Sequence, residues 1–196
     1  PTQASMIANY CSREREKGTK IFVDPIMGDE GHLYNGLTER TVEGMRKLVS
    51  HADYMVPNYT EAALIAGEPF KEDGLSWGTM KSLLGKLHRL GKGSVVITSA
   101  KVDGNDAVAG FDSGRGEFFL RTFDMIPVHF PGTGDIFSAI FMGNVMDGVS
   151  MMDSVDRAMM VVRQMIILSR NSRDSFKGIP VESCLEVLDS CREDRK

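Results

Sequence analysis

A chain of 196 residues with 42% hydrophobic residues can bury one sizeable core, and nothing in its composition calls for a second domain. Its net charge of −4, with Lys and Arg dispersed, excludes the basic stripe of a nucleic-acid surface, so an anionic substrate has to be held by a local site. No apolar run is long enough to span a bilayer and no signal peptide is recognisable, so neither nucleic acid nor a membrane is expected as a partner.

Pro1 to Glu16 reads as a helix with Met6, Ile7, Tyr10 and Cys11 on one face and Gly18 as its stop. Lys20 to Asp24 is a short buried strand, and the loop PIMGDEGHLYNG follows its C-terminal end, where ligands collect in open α/β sheets. Thr38 to Ser50 is an amphipathic helix with Val42, Met45, Leu48 and Val49 inward; Asp53 to Val56 is the next strand. Pro57 breaks that strand, Asn58 starts a helix through Ile65, and Gly67 ends it. Ser76 to Leu90 predicts a third amphipathic helix terminated by Gly91 and Gly93, followed by a buried strand at Ser94 to Thr98.

Ala107 to Phe111 and Glu117 to Phe123 flank the turn-rich DSGRG and predict a hairpin at an antiparallel edge of the sheet. After an extended run at Ile126 to Phe130 come helices near Thr133 to Met146, Ser150 to Ser169 and Val181 to Cys191, with Arg192 to Lys196 expected to fray. Strands alternating with helices mean a mostly parallel α/β sheet. Met142, Met146, Met159, Met160 and Met165 recur at helical spacings, which predicts core filling. Cys11, Cys184 and Cys191 are an odd number without a CxxC pair, which predicts reduced thiols in a cytoplasmic protein.

The stretch FPGTGDIFSAIF, Phe130 to Phe141, carries the chemistry. Pro131 and Gly132 stop the preceding run, Gly132 and Gly134 free the backbone to turn, and an apolar helical pattern begins at once. The first N–H groups of a helix lack intrahelical partners and sit at the positive end of the dipole, which suits an anion. Asp135 alone would be an ordinary helix start, stabilising by roughly 0.3–1 kcal/mol. Two glycines flanking Thr133 are more than such a start needs, and the reading is an oxyanion cradle made by Gly132, Thr133 and Gly134. A carboxylate beside it would deprotonate a hydroxyl that attacks phosphorus.

Asp24 and Asp29 flank the PIMG turn, and carboxylates there suit Mg2+, although each also fits a turn that merely satisfies loop amides. Asn58 followed three residues later by Glu61 is close to a capping box and equally supplies oxygen donors for a cation. Thr98 and Ser99 end a buried strand where hydroxyls can reach phosphate oxygens, and Thr is also common in strands for its own sake. His32, His51, His88 and His129 show no metal-ligand spacing. No GxxxxGK[ST] is present, which excludes the P-loop class, and no GxGxxG follows a strand, which argues against a dinucleotide oxidoreductase.

GTGD opening a small-residue helix resembles the catalytic motif of the ribokinase-like small-molecule kinases. VDPIMGDEGHLY at Val23 to Tyr34 and VPNYTEAALIAG at Val56 to Gly67 extend the resemblance to the pyridoxal and pyridoxamine kinases, in the order that family requires. The related hydroxymethylpyrimidine kinases usually carry Cys where this chain has Asp135. The resemblance implies a single ribokinase-like kinase domain over residues 1–196, incomplete at its N-terminal end, that phosphorylates the hydroxymethyl group of a B6 vitamer with ATP and Mg2+. A monovalent cation such as K+ is a further implied cofactor, and a homodimer the implied assembly. Asp135 would be the base, Asp24, Asp29 and Glu61 the metal environment, and Asn58, Thr98 and Ser99 the phosphate contacts. Val128 and Phe130 would wall the adenine, although an extended apolar run is also plain core. Two rivals stand beside this reading: a hydroxymethylpyrimidine kinase, and a non-catalytic nucleotide-binding protein or inactive fragment.

Overall fold

Where the sequence alternates apolar runs with amphipathic stretches, the computed structural model folds them into strands and helices; it describes residues 2–170 and 178–188. The chain divides into two units, Pro1–Phe123 and Asp124–Lys196.

The first unit runs α1 (Thr2–Glu16), β1 (Phe22–Val23), β2 (Gly28–Asp29), β3 (His32–Leu33), α2 (Glu39–Val49), β4 (Tyr54–Met55), α3 (Tyr59–Ala66), α4 (Trp77–Gly91), β5 (Ser94–Val102), β6 (Asn105–Asp112) and β7 (Glu117–Thr122). Among the described residues the main sheet has the order β1-β4-β5-β6-β7, and β2 with β3 forms a separate ribbon. β1, β4 and β5 are parallel, β6 runs against β5 and β7 against β6, so β6 alone opposes the others. The sheet is therefore mostly parallel, with the expected antiparallel hairpin at its edge. Met55, Val95 and Ile97 from the strands close on Val42 and Val49 of α2, Ala62 and Ile65 of α3, and Met80, Leu84 and Leu87 of α4, all buried in one core. β1, β4 and β5 run the same way, and the loops after β1 and β4 meet at their C-terminal ends.

Several expectations are corrected. Met6, Ile7 and Tyr10, read as one face of α1, are exposed. The helix instead meets α2 through small residues, with Ala8 buried and the Ala4 methyl 3.0 Å from where a Cβ on Gly44 would stand. Gly91 and Gly93 do not supply the left-handed stop of α4; Lys92 does, at φ +58. The glycines are there for close approach, since a Cβ on either would lie 2.3 Å from a carbonyl oxygen, of Val49 and Ala52 respectively. β5 also runs past Thr98 to Val102, with a register shift between Ile97 and Ala100.

The second unit holds α5 (Thr133–Met146), α6 (Met151–Ser169) and a 3₁₀ turn at Val181–Cys184. Ser150 caps α6, its Oγ accepting from the Asp153 N–H at 3.2 Å, and Phe137 and Phe141 are the buried face of α5. Phe130, Val161, Met165, Ile179, Cys184 and Val187 form the core of this unit. Ile126 to Phe130 forms no strand. Core filling by methionine holds for Met165 and fails for Met142, Met146 and Met160, which are exposed because α5 and α6 carry apolar residues beyond their packed faces. Of the last expected helix, residues 181–188 form the 3₁₀ turn and a helical stretch; Cys191 and Arg192 to Lys196 lie outside the described residues. Cys11 and Cys184 are free thiols. Among the described residues no helix is long and apolar enough to cross a membrane.

Candidate active site

In the first unit hydrogen bonds join the loops after β1 and β4 to each other, and the loop after β4 to the middle of β5. The Thr98 N–H donates to the Pro57 carbonyl at 3.0 Å, and Thr98 pairs with Asn58 as a parallel bridge, so the register shift in the middle of β5 lies against the start of α3. Asn58 is the N-cap of α3: its Oδ1 accepts from the Glu61 N–H at 2.9 Å, and Glu61 Oε2 accepts from the Asn58 N–H at 2.9 Å. The capping box read from the sequence is thus fully made. The same two side chains also hold the loop after β1. Asn58 Nδ2 donates to the Gly28 carbonyl at 2.8 Å, and Glu61 Oε1 accepts from the Met27 N–H at 3.0 Å.

Glu61 is 3% exposed. Burial pushes its carboxyl up to about 7; the N–H groups of Met27 and Asn58 pull the other way, Asp24 nearby raises it further, and the Gly28 N–H lowers it. Asp24 is half-buried, whereas Asp29 is exposed and accepts from the Glu30 N–H at 2.9 Å. Asp29 lies in the β2–β3 ribbon, whose turn residues Glu30 and Gly31 are both left-handed, at φ +48 and +82. Thr60, which sequence reasoning did not single out, accepts at Oγ1 from the Gly31 N–H at 2.9 Å. The only local signal for it was its place between two capping residues.

Thr98 is half-buried and Ser99 exposed at the register shift of β5. Ser99 sits at φ +51, a conformation that non-glycine residues adopt at a cost and that a bulge can impose to re-aim a side chain. Asp24, Asp29 and Glu61 offer the hard oxygen donors that Mg2+ takes, and Mg2+ usually keeps several waters and binds through one or two carboxylates. Among the described residues no group of three or more His, Cys, Asp or Glu side chains is close enough to hold a metal ion. Both Glu61 oxygens already accept backbone N–H bonds, which fits an orienting part better than that of a sole direct ligand.

In the second unit Gly132 is the N-cap of α5 at φ +85, where a side chain would be strained. Thr133, Gly134 and Asp135 form the first helical turn, whose N–H groups have no partner within the helix. Asp135 and Gly134 are exposed, and a Cβ on Gly134 would meet nothing within 4 Å. Phe130 is packed in the core of this unit, and Val128 is partly buried against it.

A mostly parallel sheet with its loops tied together at the strand ends, and a left-handed glycine turn that opens an apolar helix, define a ribokinase-like α/β protein. Within that class the chain belongs to the phosphomethylpyrimidine kinase family, whose sequence profile matches residues 2–178. It is 33% identical over 175 residues to a pyridoxal kinase of Arabidopsis thaliana, covering 84% of this chain and 53% of that protein. A Bacteroides thetaiotaomicron protein described as a phosphomethylpyrimidine kinase and solved with pyridoxal superposes with a TM-score of 0.88 at 31% identity, over 95% of this chain and 66% of that one. The pyridoxal kinase of Leishmania donovani, solved with ADP and pyridoxamine, gives a TM-score of 0.70 at 27% identity, over 89% of this chain and 59% of that one. The chain spans about half the length of the curated relatives it matches.

Proposed function

We propose that the chain serves an ATP-dependent kinase that phosphorylates the hydroxymethyl group of pyridoxal, pyridoxamine or pyridoxine, with residues 1–196 belonging to one kinase domain. The observation that carries this reading is Asp135, placed in the first turn of a helix that opens on a left-handed glycine. Its carboxylate takes the proton of the substrate hydroxyl while that oxygen attacks the γ-phosphorus and ADP leaves. The amides of Gly132, Thr133 and Gly134 receive the charge that gathers on the phosphoryl oxygens. Asp24 and Asp29 supply oxygen donors for Mg2+, and Asn58 and Glu61 hold the loop that presents them. Mg2+, when bound, neutralises phosphate charge. Thr98 and Ser99 offer hydroxyls to the phosphates, and Val128 forms the apolar side of the adenine site, backed by Phe130, which is itself buried in the core of the second unit. K+ as a second cation, a homodimer and a cytoplasmic setting complete the reading.

The profile match to phosphomethylpyrimidine kinases favours one second reading, a hydroxymethylpyrimidine kinase on the same scaffold. A coupled ADP-release assay with pyridoxal and hydroxymethylpyrimidine as competing substrates separates them. We expect kcat/KM at least ~10-fold higher for pyridoxal, about 1.4 kcal/mol of transition-state preference. The reverse order overturns the vitamin B6 assignment, and no ADP release with either ring leaves the non-catalytic reading.

A further inference from the structure

The β2–β3 ribbon has two residues in each strand and a two-residue turn, too little to stand by itself in water. The first turn of α3 holds it, and three side chains there reach across. Asn58 takes the Gly28 carbonyl, Glu61 the Met27 N–H, and Thr60 the Gly31 N–H. The first two bonds are made by the residues of the helix cap; the third is not. Thr60 is 2% exposed and takes no part in the capping box. On its other side Gly31 is confined by Phe70: a Cβ there would lie 2.7 Å from the Phe70 ring, which packs on Tyr59 with ring centroids 4.9 Å apart. Gly31, two residues after Asp29, is thus held at its amide by the Thr60 hydroxyl and left no room for a side chain by the Phe70 ring.

We infer that Thr60 is a positioning residue for phosphoryl transfer: its hydroxyl, through the Gly31 amide, fixes the turn that sets where the Asp29 carboxylate stands. The inference rests on the kinase reading above, because only there does the place of Asp29 have a chemical consequence. Glu30 and His32 are exposed and Leu33 only half-buried, so the ribbon adds little to the core. Releasing it is a local opening and not an unfolding of the unit.

Thr60→Val keeps the shape and removes the acceptor. In the full chain, amide exchange at Gly31 should quicken roughly 3- to 10-fold, the range of one lost hydrogen bond. The Mg2+ concentration that half-shifts the Asp29 and Glu30 amide resonances, titrated with Mg2+ alone, should rise by a similar factor. Where the chain turns over pyridoxal, the Mg2+ needed for half-maximal rate should follow while kcat changes less than about twofold. Thr60→Ser should restore all three. Unchanged Gly31 exchange, an unchanged Mg2+ midpoint, or a failure of Thr60→Ser to restore them overturns the inference, as does a wild-type chain whose Asp29 and Glu30 amides ignore Mg2+. Absence of phosphate transfer by the wild type counts against the kinase reading alone, since exchange and the Mg2+ titration are read without turnover.

Discussion

Glu61 Oε1 accepts from the Met27 N–H at 3.0 Å, so a carboxylate on the first turn of α3 carries the backbone of the loop that follows β1. With its other oxygen on the Asn58 N–H, both are engaged, and the cap and the loop share one side chain. Glu61→Gln sets an amide NH2 against one of those donors and should destabilise by about 1–3 kcal/mol.

The loss should depend on pH in a definite direction. Because burial raises the folded-state value to about 7, above the ordinary 4.5, folding takes up a proton there. The stability this contributes is complete below about pH 4.5 and is lost as pH rises through 7, a change on the order of 3 kcal/mol. Gln has no such proton. The gap between wild type and Glu61→Gln, measured by urea unfolding at pH 5 and pH 8, should narrow at pH 8. A gap that widens with pH would show that the carboxylate is held in its charged form.

Ser99 separates stability from binding. Relief of its left-handed backbone by Ser99→Gly should contribute about 1 kcal/mol, partly offset by the freer unfolded chain. If the hydroxyl meets a phosphate oxygen, the same change should raise the ATP Kd roughly 3- to 10-fold. Calorimetry beside melting curves reads both. Unaltered ATP binding in a stabilised variant leaves Ser99 as bulge geometry only.

What was legible in the sequence was local. The caps at Asn58 and Gly67, the amphipathic faces of α2 and α4, and the left-handed turn at Gly132 are set by residues within a few positions and appear as read, whereas Gly134, read as part of that turn, lies in the helix itself. What was missed depends on approach through space. Gly91 and Gly93 looked like helix stops, but the surfaces that require them belong to Val49 and Ala52, some forty residues earlier. Thr60 meets Gly31 across 29 residues, and serine has no sequence signal for the left-handed turn at Ser99. Met6, Ile7 and Tyr10 have helical spacing yet face outward, because the periodicity marks a face without naming what covers it.

Gly132 and Gly134 flank Thr133 but should respond differently. Alanine at position 132 meets a backbone at φ +85 and should destabilise by about 1–2 kcal/mol. Alanine at position 134 sits in regular helix with nothing within 4 Å of its methyl, so stability should hold or rise by up to about 1 kcal/mol. If the Gly134 amide lies against a phosphate, that methyl obstructs the ligand and KM for ATP should rise at least ~10-fold, with the melting temperature intact. Unchanged ATP kinetics in Gly134→Ala would remove Gly134 from the anion site.

Asp135 decides between a helix-start charge and a base. Asp135→Asn keeps the shape of a first-turn residue whose side chain is exposed, so stability should fall by no more than about 1 kcal/mol. A general base contributes about 10²–10⁴ in rate, roughly 3–5 kcal/mol of transition-state stabilisation, which a first-turn charge cannot supply. The loss should appear in kcat. If Asp135 lies beside the phosphates, removing its negative charge cannot weaken ATP electrostatically, so the nucleotide Kd should stay constant or tighten slightly. Turnover by ADP release and binding by calorimetry, on the same preparation, give the two numbers. A variant that retains more than about a third of the wild-type kcat has lost too little for a general base, and Asp135 would then be a helix-start residue alone.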